Sequence, residues 1–301
     1  MKNPIVAFGA ALLLFIISAA NAPSPMAREA VETQRFDVET MGNGPDVVLI
    51  PGLNSTREVW RPTAEALASG HTVHLVQLAG FGSPADANVD GPILDPLVDE
   101  LAAYLVAQGI ESPTVIGHSL GGFAAMRLAL RHPDTVGRIV VVDSLPFFSV
   151  LFDPAATAES AEPQAAQARA MTLAMGRPAE PADCDQVSPV FARMSNTREG
   201  RCRIAQWAAQ ADPAVSAQLA FELMTTDLRQ AIGALSVPTI VLYARDPAMG
   251  PTGTIDALWR ANYAAAAANT VLVPIDDSRH FTMLDNFSAT LAAIEHALET
   301  D

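Results

Sequence analysis

Thr114-Val115-Ile116-Gly117-His118-Ser119-Leu120-Gly121-Gly122-Phe123 decides how the rest of the chain is read. A short β-type run enters a G-x-S-x-G pentad, Gly117 to Gly121, and a helical pattern over Leu120–Arg131 leaves it. The pentad alone is a weak signal, because it arises by chance. Its position at a strand–turn–helix join is what raises it, since that is the geometry of a nucleophile elbow. Glycines two residues before and two after the serine let neighbouring backbones approach. Such a turn lifts the Ser119 hydroxyl off the sheet edge and aims the next amide, that of Leu120, at a substrate oxygen.

A serine hydroxyl needs a base to take its proton, and the chain offers six histidines. His71 and His74 lie at or in an early strand. His118 adjoins the serine with its side chain directed away from it, His132 ends a helix, and His296 lies in the last helix. His280 alone falls in a loop between the final strand and the final helix, where open α/β sheets bind ligands. It is the candidate base. The partner that orients its ring must be a carboxylate. Asp246, directly after the run Thr239–Tyr243, is the first choice, and Asp143, after Arg138–Val142, is the second. For the oxyanion, the turn Pro51-Gly52-Leu53 after Asp46–Ile50 offers the Leu53 amide as partner to that of Leu120.

The surrounding pattern fixes the fold class. Strand-like runs at Arg35–Thr40, Asp46–Ile50, Thr72–Gln77, Thr114–Gly117, Arg138–Val142, Thr239–Tyr243 and Thr270–Val273 alternate with helical patterns. Several are unbroken Val/Ile/Leu stretches, as in parallel strands buried on both faces. The pattern predicts an α/β fold, a mostly parallel open sheet flanked by helices. From Phe148 to Ser236 the alternation stops, and apolar helical stretches separated by prolines take over. Residues 31–147 and 237–301 thus read as the core, and 148–236 as a helical insertion before the last two strands.

Composition excludes other classes. The net charge is −15, with 33 acidic against 18 basic residues, which gives no footprint for nucleic acid. Half the residues are hydrophobic and 17% charged, unlike a disordered chain. No histidine–carboxylate cluster has zinc spacing, so neither metal nor cofactor is expected. Lys2, the only lysine, precedes an apolar run over Ile5–Ala20 and a small-residue site ending at Ala20. That layout is a signal peptide, residues 1–20, followed by a leader, 21–30. Sixteen residues fall short of the roughly 20 that span a bilayer, although an uncleaved anchor is the alternative. The protein is expected to be exported, periplasmic or secreted, with no stable membrane anchor after cleavage. In such a compartment Cys184 and Cys202 are plausible disulfide partners, the alternative being two buried thiols.

With these residues in place, the chain resembles the α/β-hydrolase family, in its lid-bearing branch of serine esterases. The matching motifs are Pro51-Gly52-Leu53, Gly80-Phe81-Gly82, the elbow, Pro238 to Asp246, and His280-Phe281. Many relatives carry His-Gly where this chain has Pro51-Gly52. The resemblance implies that the insertion is a lid over the active site. Phe147, Phe148, Met171, Met175 and Trp207 are then candidate pocket residues, beside the bland alternative that they pack the lid on the core. The expected activity is hydrolysis of small neutral esters or lactones with an apolar part, with water as second reactant. Amide, peptide or carbon–carbon bond cleavage on the same triad is the alternative, and an inactive lidded binding protein is the non-enzyme alternative.

Overall fold

Val47 and Leu49 pack into one apolar cluster, while Val48 and Ile50 pack into another on the opposite side. Ile139–Val142 divides in the same way. This period-two split, with both sides dry, forces the sheet into the middle of the molecule. The computed structural model describes Met1 and residues 32–299, so the proposed signal peptide, apart from Met1, and the leader lie outside the described residues.

In chain order the elements are β1 (Phe36–Gly42), β2 (Asp46–Ile50), α1 (Arg61–Leu67), β3 (Thr72–Leu78), α2 (Leu94–Ala107), β4 (Thr114–His118), α3 (Leu120–Arg131) and β5 (Arg138–Val142). There follow α4 (Ala158–Met175), α5 (Arg198–Gln210), α6 (Pro213–Thr225), β6 (Thr239–Arg245), α7 (Thr252–Asn262), β7 (Thr270–Asp276), α8 (Thr282–Asp285) and α9 (Phe287–Glu299). The strands form one sheet in the order β1-β3-β2-β4-β5-β6-β7. Only β1 runs antiparallel to its neighbour. Each strand falls on one of the runs expected from sequence. Side chains of α2, α3 and α7 fill one cluster, and those of α1 and α9 the other.

Between β5 and β6 the chain is helical, as expected. The insertion reaches both clusters, α4 and α6 on one side and α5 on the other. Its α5–α6 corner is fastened to the loop after β3. Gly82 N–H donates to the Gln210 carbonyl at 3.3 Å, and Asp212 N–H to the Gly80 carbonyl at 2.6 Å. The prolines do not separate every helical stretch, because α4 starts at Ala158 and carries Pro163 inside it. The cause is a reciprocal capping box between Thr157 and Ser160, which nucleates the helix upstream of the proline.

Cys184 and Cys202 are disulfide-bonded, tying the loop before α5 to a buried position on that helix. Closing a loop of this size stabilises by about 3 kcal/mol in the chain-entropy model. Replacing both cysteines by serine is therefore expected to lower the urea midpoint, as read by circular dichroism. An unchanged midpoint would show that the bond does not constrain the unfolded chain.

Candidate active site

Parallel register sets a row of loops at the carboxyl ends of the strands. Gly117 of β4 stands level with Ile50 of β2 and Val141 of β5. The next turns, at Pro51-Gly52, Ser119 and Asp143, therefore meet. Ser119 has φ +52° and ψ −117°, a conformation that side chains rarely adopt and that marks the elbow. The glycines around it are required by contact. A Cβ at position 121 would fall on the Ile50 carbonyl, and one at 117 on the Gly121 backbone. Because backbone has no room to yield, Gly121→Ala is expected to cost more than the roughly 1–3 kcal/mol of ordinary overpacking. A thermal melt checks this, and an unshifted melting temperature would contradict the tight elbow.

His280 is held from below by Asp143, whose Oδ2 accepts from His280 Nδ1 at 2.7 Å. The other oxygen, Oδ1, accepts the Ala244 amide at 2.8 Å. Asp143 itself sits at φ +48°, on a loop backed by the buried phenol of Tyr263, which donates to the Ser144 carbonyl at 2.5 Å. Burial, and then the charge of Asp143, push that phenol well above its ordinary value.

The first-choice carboxylate, Asp246, does not reach His280. Register supplies the reason. Val142 pairs with Leu242, but the β6–β7 ladder continues through Arg245 and Asp276. Asp246 thus lies one strand farther over and three residues beyond the level of Asp143, about 10 Å along the strand direction. There it accepts from Arg279 Nε at 2.7 Å and caps the following turn through Ala248 N–H at 2.8 Å. Burial pushes its carboxyl up, but the Ala248 amide and Arg279 outweigh this and hold it below the usual carboxylate range. The second choice, Asp143, is the histidine's partner.

Leu53 lies in the turn after β2, whose Gly52 approaches Ser119, and Leu120 opens α3 directly after the serine. Among the described residues neither amide donates to a protein acceptor, which leaves both available to a ligand oxygen. The Leu53 turn is shaped by Asn54 at φ +56°. The Asn54 side chain accepts from Ser216 of α6 at 2.6 Å, a tie between insertion and oxyanion turn that sequence gave no sign of. No group of three or more His, Cys, Asp or Glu residues suited to a metal occurs among the described residues.

The model of the alpha/beta hydrolase family matches residues 47–293. The chain belongs to the α/β hydrolase family. It is a carboxylesterase-like serine hydrolase. A pimeloyl-[acyl-carrier protein] methyl ester esterase of Nitrosomonas europaea is 30% identical over 227 residues, 73% of this chain and 84% of that protein. The like-named protein of Chromobacterium violaceum is 44% identical over 114 residues, 37% of this chain and 41% of that one. Among solved structures, the enol-lactonase from Burkholderia xenovorans LB400 superposes with TM-score 0.66 at 19% identity, covering 88% of this chain and 96% of that one. A thermophilic esterase from Thermogutta terrifontis gives TM-score 0.66 at 22% identity, covering 87% and 92%. At these identities the structures show the shared fold.

In this hydrolase the His118 side chain does not face empty core but packs on the candidate base. Its ring lies 4.6 Å from that of His280 and 4.5 Å from that of Phe281. His118 Nε2–H donates to the His280 carbonyl at 2.9 Å. Its Nδ1 is buried without a partner among the described residues. A Cβ on residue 52 would lie 2.7 Å from that nitrogen, so Gly52 makes room for the imidazole. Burial, then the nearby charge of His280, drive His118 well below the ordinary histidine value, against the opposing pull of its hydrogen bond. It is neutral in the folded protein. The unfolded chain takes up a proton below about pH 6.5, so His118 costs stability as the pH falls through that value. His118→Gln is expected to flatten the fall in melting temperature between pH 6.5 and 5. Parallel curves for the two proteins would contradict a neutral buried ring.

The candidate pocket residues separate. Trp207 is buried, lies 6.3 Å from Phe281 ring to ring, and borders an open, mostly polar depression of about 390 Å³ with Asp37, Arg57, Glu58, Gln77 and Gln210, whose lining includes neither Ser119 nor His280. Phe147 is fully buried beneath the Arg229 guanidinium, which stands 4.7 Å above its ring. Met171 and Met175 are not enclosed but project to solvent, 55% and 76% exposed. The reason is that α4 buries Ala161 and Ala165 instead and packs on α6. Phe148 is partly exposed and meets Phe152 edge to face at 5.4 Å.

Proposed function

We propose that this hydrolase cleaves carboxylic esters, or lactones, with an apolar acyl or aryl part by acyl transfer from Ser119 to water. The observation that carries this is the Asp143–His280 bond beside the elbow. Held at Nδ1 by a carboxylate, the imidazole keeps Nε2 free to act as base. Ser119 Oγ attacks the carbonyl carbon and its proton passes to Nε2. The oxyanion rests on the Leu53 and Leu120 amides, each worth about 2.7–4 kcal/mol in sites of this kind. His280 then protonates the leaving alcohol, leaving the acyl group on Ser119. Water repeats the sequence, the acid departs, and the proton returns to Oγ.

Support for an ester comes from the methyl ester esterase of Nitrosomonas europaea, which aligns over most of its length. A net charge of −15 disfavours anions approaching from bulk solvent. The aromatic pair Phe148–Phe152 at the entry to the insertion supports an apolar preference. We assign the insertion as the lid and residues 1–20 as an export signal. A panel of methyl, aryl, lactone and N-acyl amide substrates tests the bond cleaved. Turnover of apolar esters or lactones well above amides is expected, and preference for amides would overturn the proposal.

A further inference from the structure

The loop bearing His280 is held from the core by Asp143, His118 and Asp246, and also by one stretch of the insertion. Phe281 N–H donates to the Met194 carbonyl at 2.9 Å, and Asn196 Nδ2 to the Asp277 carbonyl at 2.6 Å. Arg279 Nη1 donates to the Ala192 carbonyl. At the centre of this seam stands Asp285, at the end of α8. Its Oδ1 accepts from Ser195 Oγ at 2.5 Å. Its Oδ2 accepts two backbone amides, that of Asn196 at 3.0 Å and that of Arg279 at 2.9 Å. One carboxylate thus joins the residue before His280 to the insertion. Ser195 is fully buried, and a Cβ on Gly200, in the first turn of α5, would meet its side chain. The insertion half of the seam therefore cannot slide. Carboxylates accepting backbone amides make the stronger class of hydrogen bond, and three donors on one group give a fixed direction.

We propose that Asp285 is a positioning residue for the catalytic histidine, through which the Met194–Asn196 stretch of the insertion sets the register of His280 against Ser119. This rests on the triad assigned above. Its consequence is that the insertion is part of the catalytic frame along this seam and stays in place there while substrate enters elsewhere. A histidine displaced by about 1 Å can cost on the order of 10²-fold in rate, so loosening the loop acts on turnover and not on substrate affinity.

The test compares Asp285→Ala and Asp285→Asn with the wild-type chain on a short-chain aryl ester, well below each melting temperature. Asp285→Ala is expected to lower kcat by about tenfold or more, with KM unchanged and fluorophosphonate labelling of Ser119 slowed in parallel. Asp285→Asn keeps an oxygen for the Arg279 and Asn196 amides and is expected to recover most of kcat. A folded Ala variant with wild-type kcat would overturn the proposal, as would an Asn variant no better than Ala. Should Ala fail to fold, Ser195→Ala removes the side-chain donor to Oδ1, together with the local bonds of Ser195 to Thr197, and leaves both backbone amides on Oδ2. A lower kcat at constant KM supports the assignment, and wild-type kinetics overturn it. A wild-type chain that takes no label at Ser119 would instead defeat the triad itself, and the two failures are distinguishable.

Discussion

Replacing Ser119 by alanine is expected to abolish ester hydrolysis, a loss of about 10⁴- to 10⁶-fold in kcat by analogy with other serine hydrolases. The backbone should survive, because alanine keeps the Cβ that serine already carries at φ +52° and removes only the oxygen. Melting temperature is the control and should barely move. With both oxyanion amides intact, a residual rate of roughly 10³-fold over water is the floor. A variant retaining the wild-type rate would place the nucleophile elsewhere.

The second large effect separates two aspartates that sequence alone ranks in the other order. Asp143→Asn is expected to lower kcat by about 10⁴-fold. An amide can turn its N–H₂ toward His280 Nδ1, which then stays unprotonated, and the ring proton moves to Nε2, where the base is needed. Asp246→Asn keeps the acceptor for the Ala248 amide and loses only the charge facing Arg279. It is expected to cost about 1–3 kcal/mol of stability with an effect on kcat at least about a hundredfold smaller than that of Asp143→Asn. Steady-state kinetics and a urea melt on the two variants check both halves. The reverse ranking would return Asp246 to the triad.

What sequence revealed here is local. The elbow, the strands and the loop of His280 each depend on a dozen neighbouring residues. Choosing between Asp143 and Asp246 depends on how far β6 runs past β5, a property of pairing between strands. Chain order is no guide, because both lie between Ser119 and His280. The helical insertion misled for another reason. On α4 the buried face is alanine, so the large apolar residues at 171 and 175 mark the outer face instead. The Asp285 seam joins segments about 90 residues apart, beyond any periodic signal.

Peptide mass spectrometry after brief treatment with a fluorophosphonate tests the triad most directly. The adduct is expected on Ser119 in the wild-type protein, and it should be lost or strongly slowed in His280→Ala and Asp143→Asn but retained in Asp246→Asn. An adduct on another residue, or labelling of Ser119 that ignores Asp143 and depends on Asp246, would contradict the triad described above.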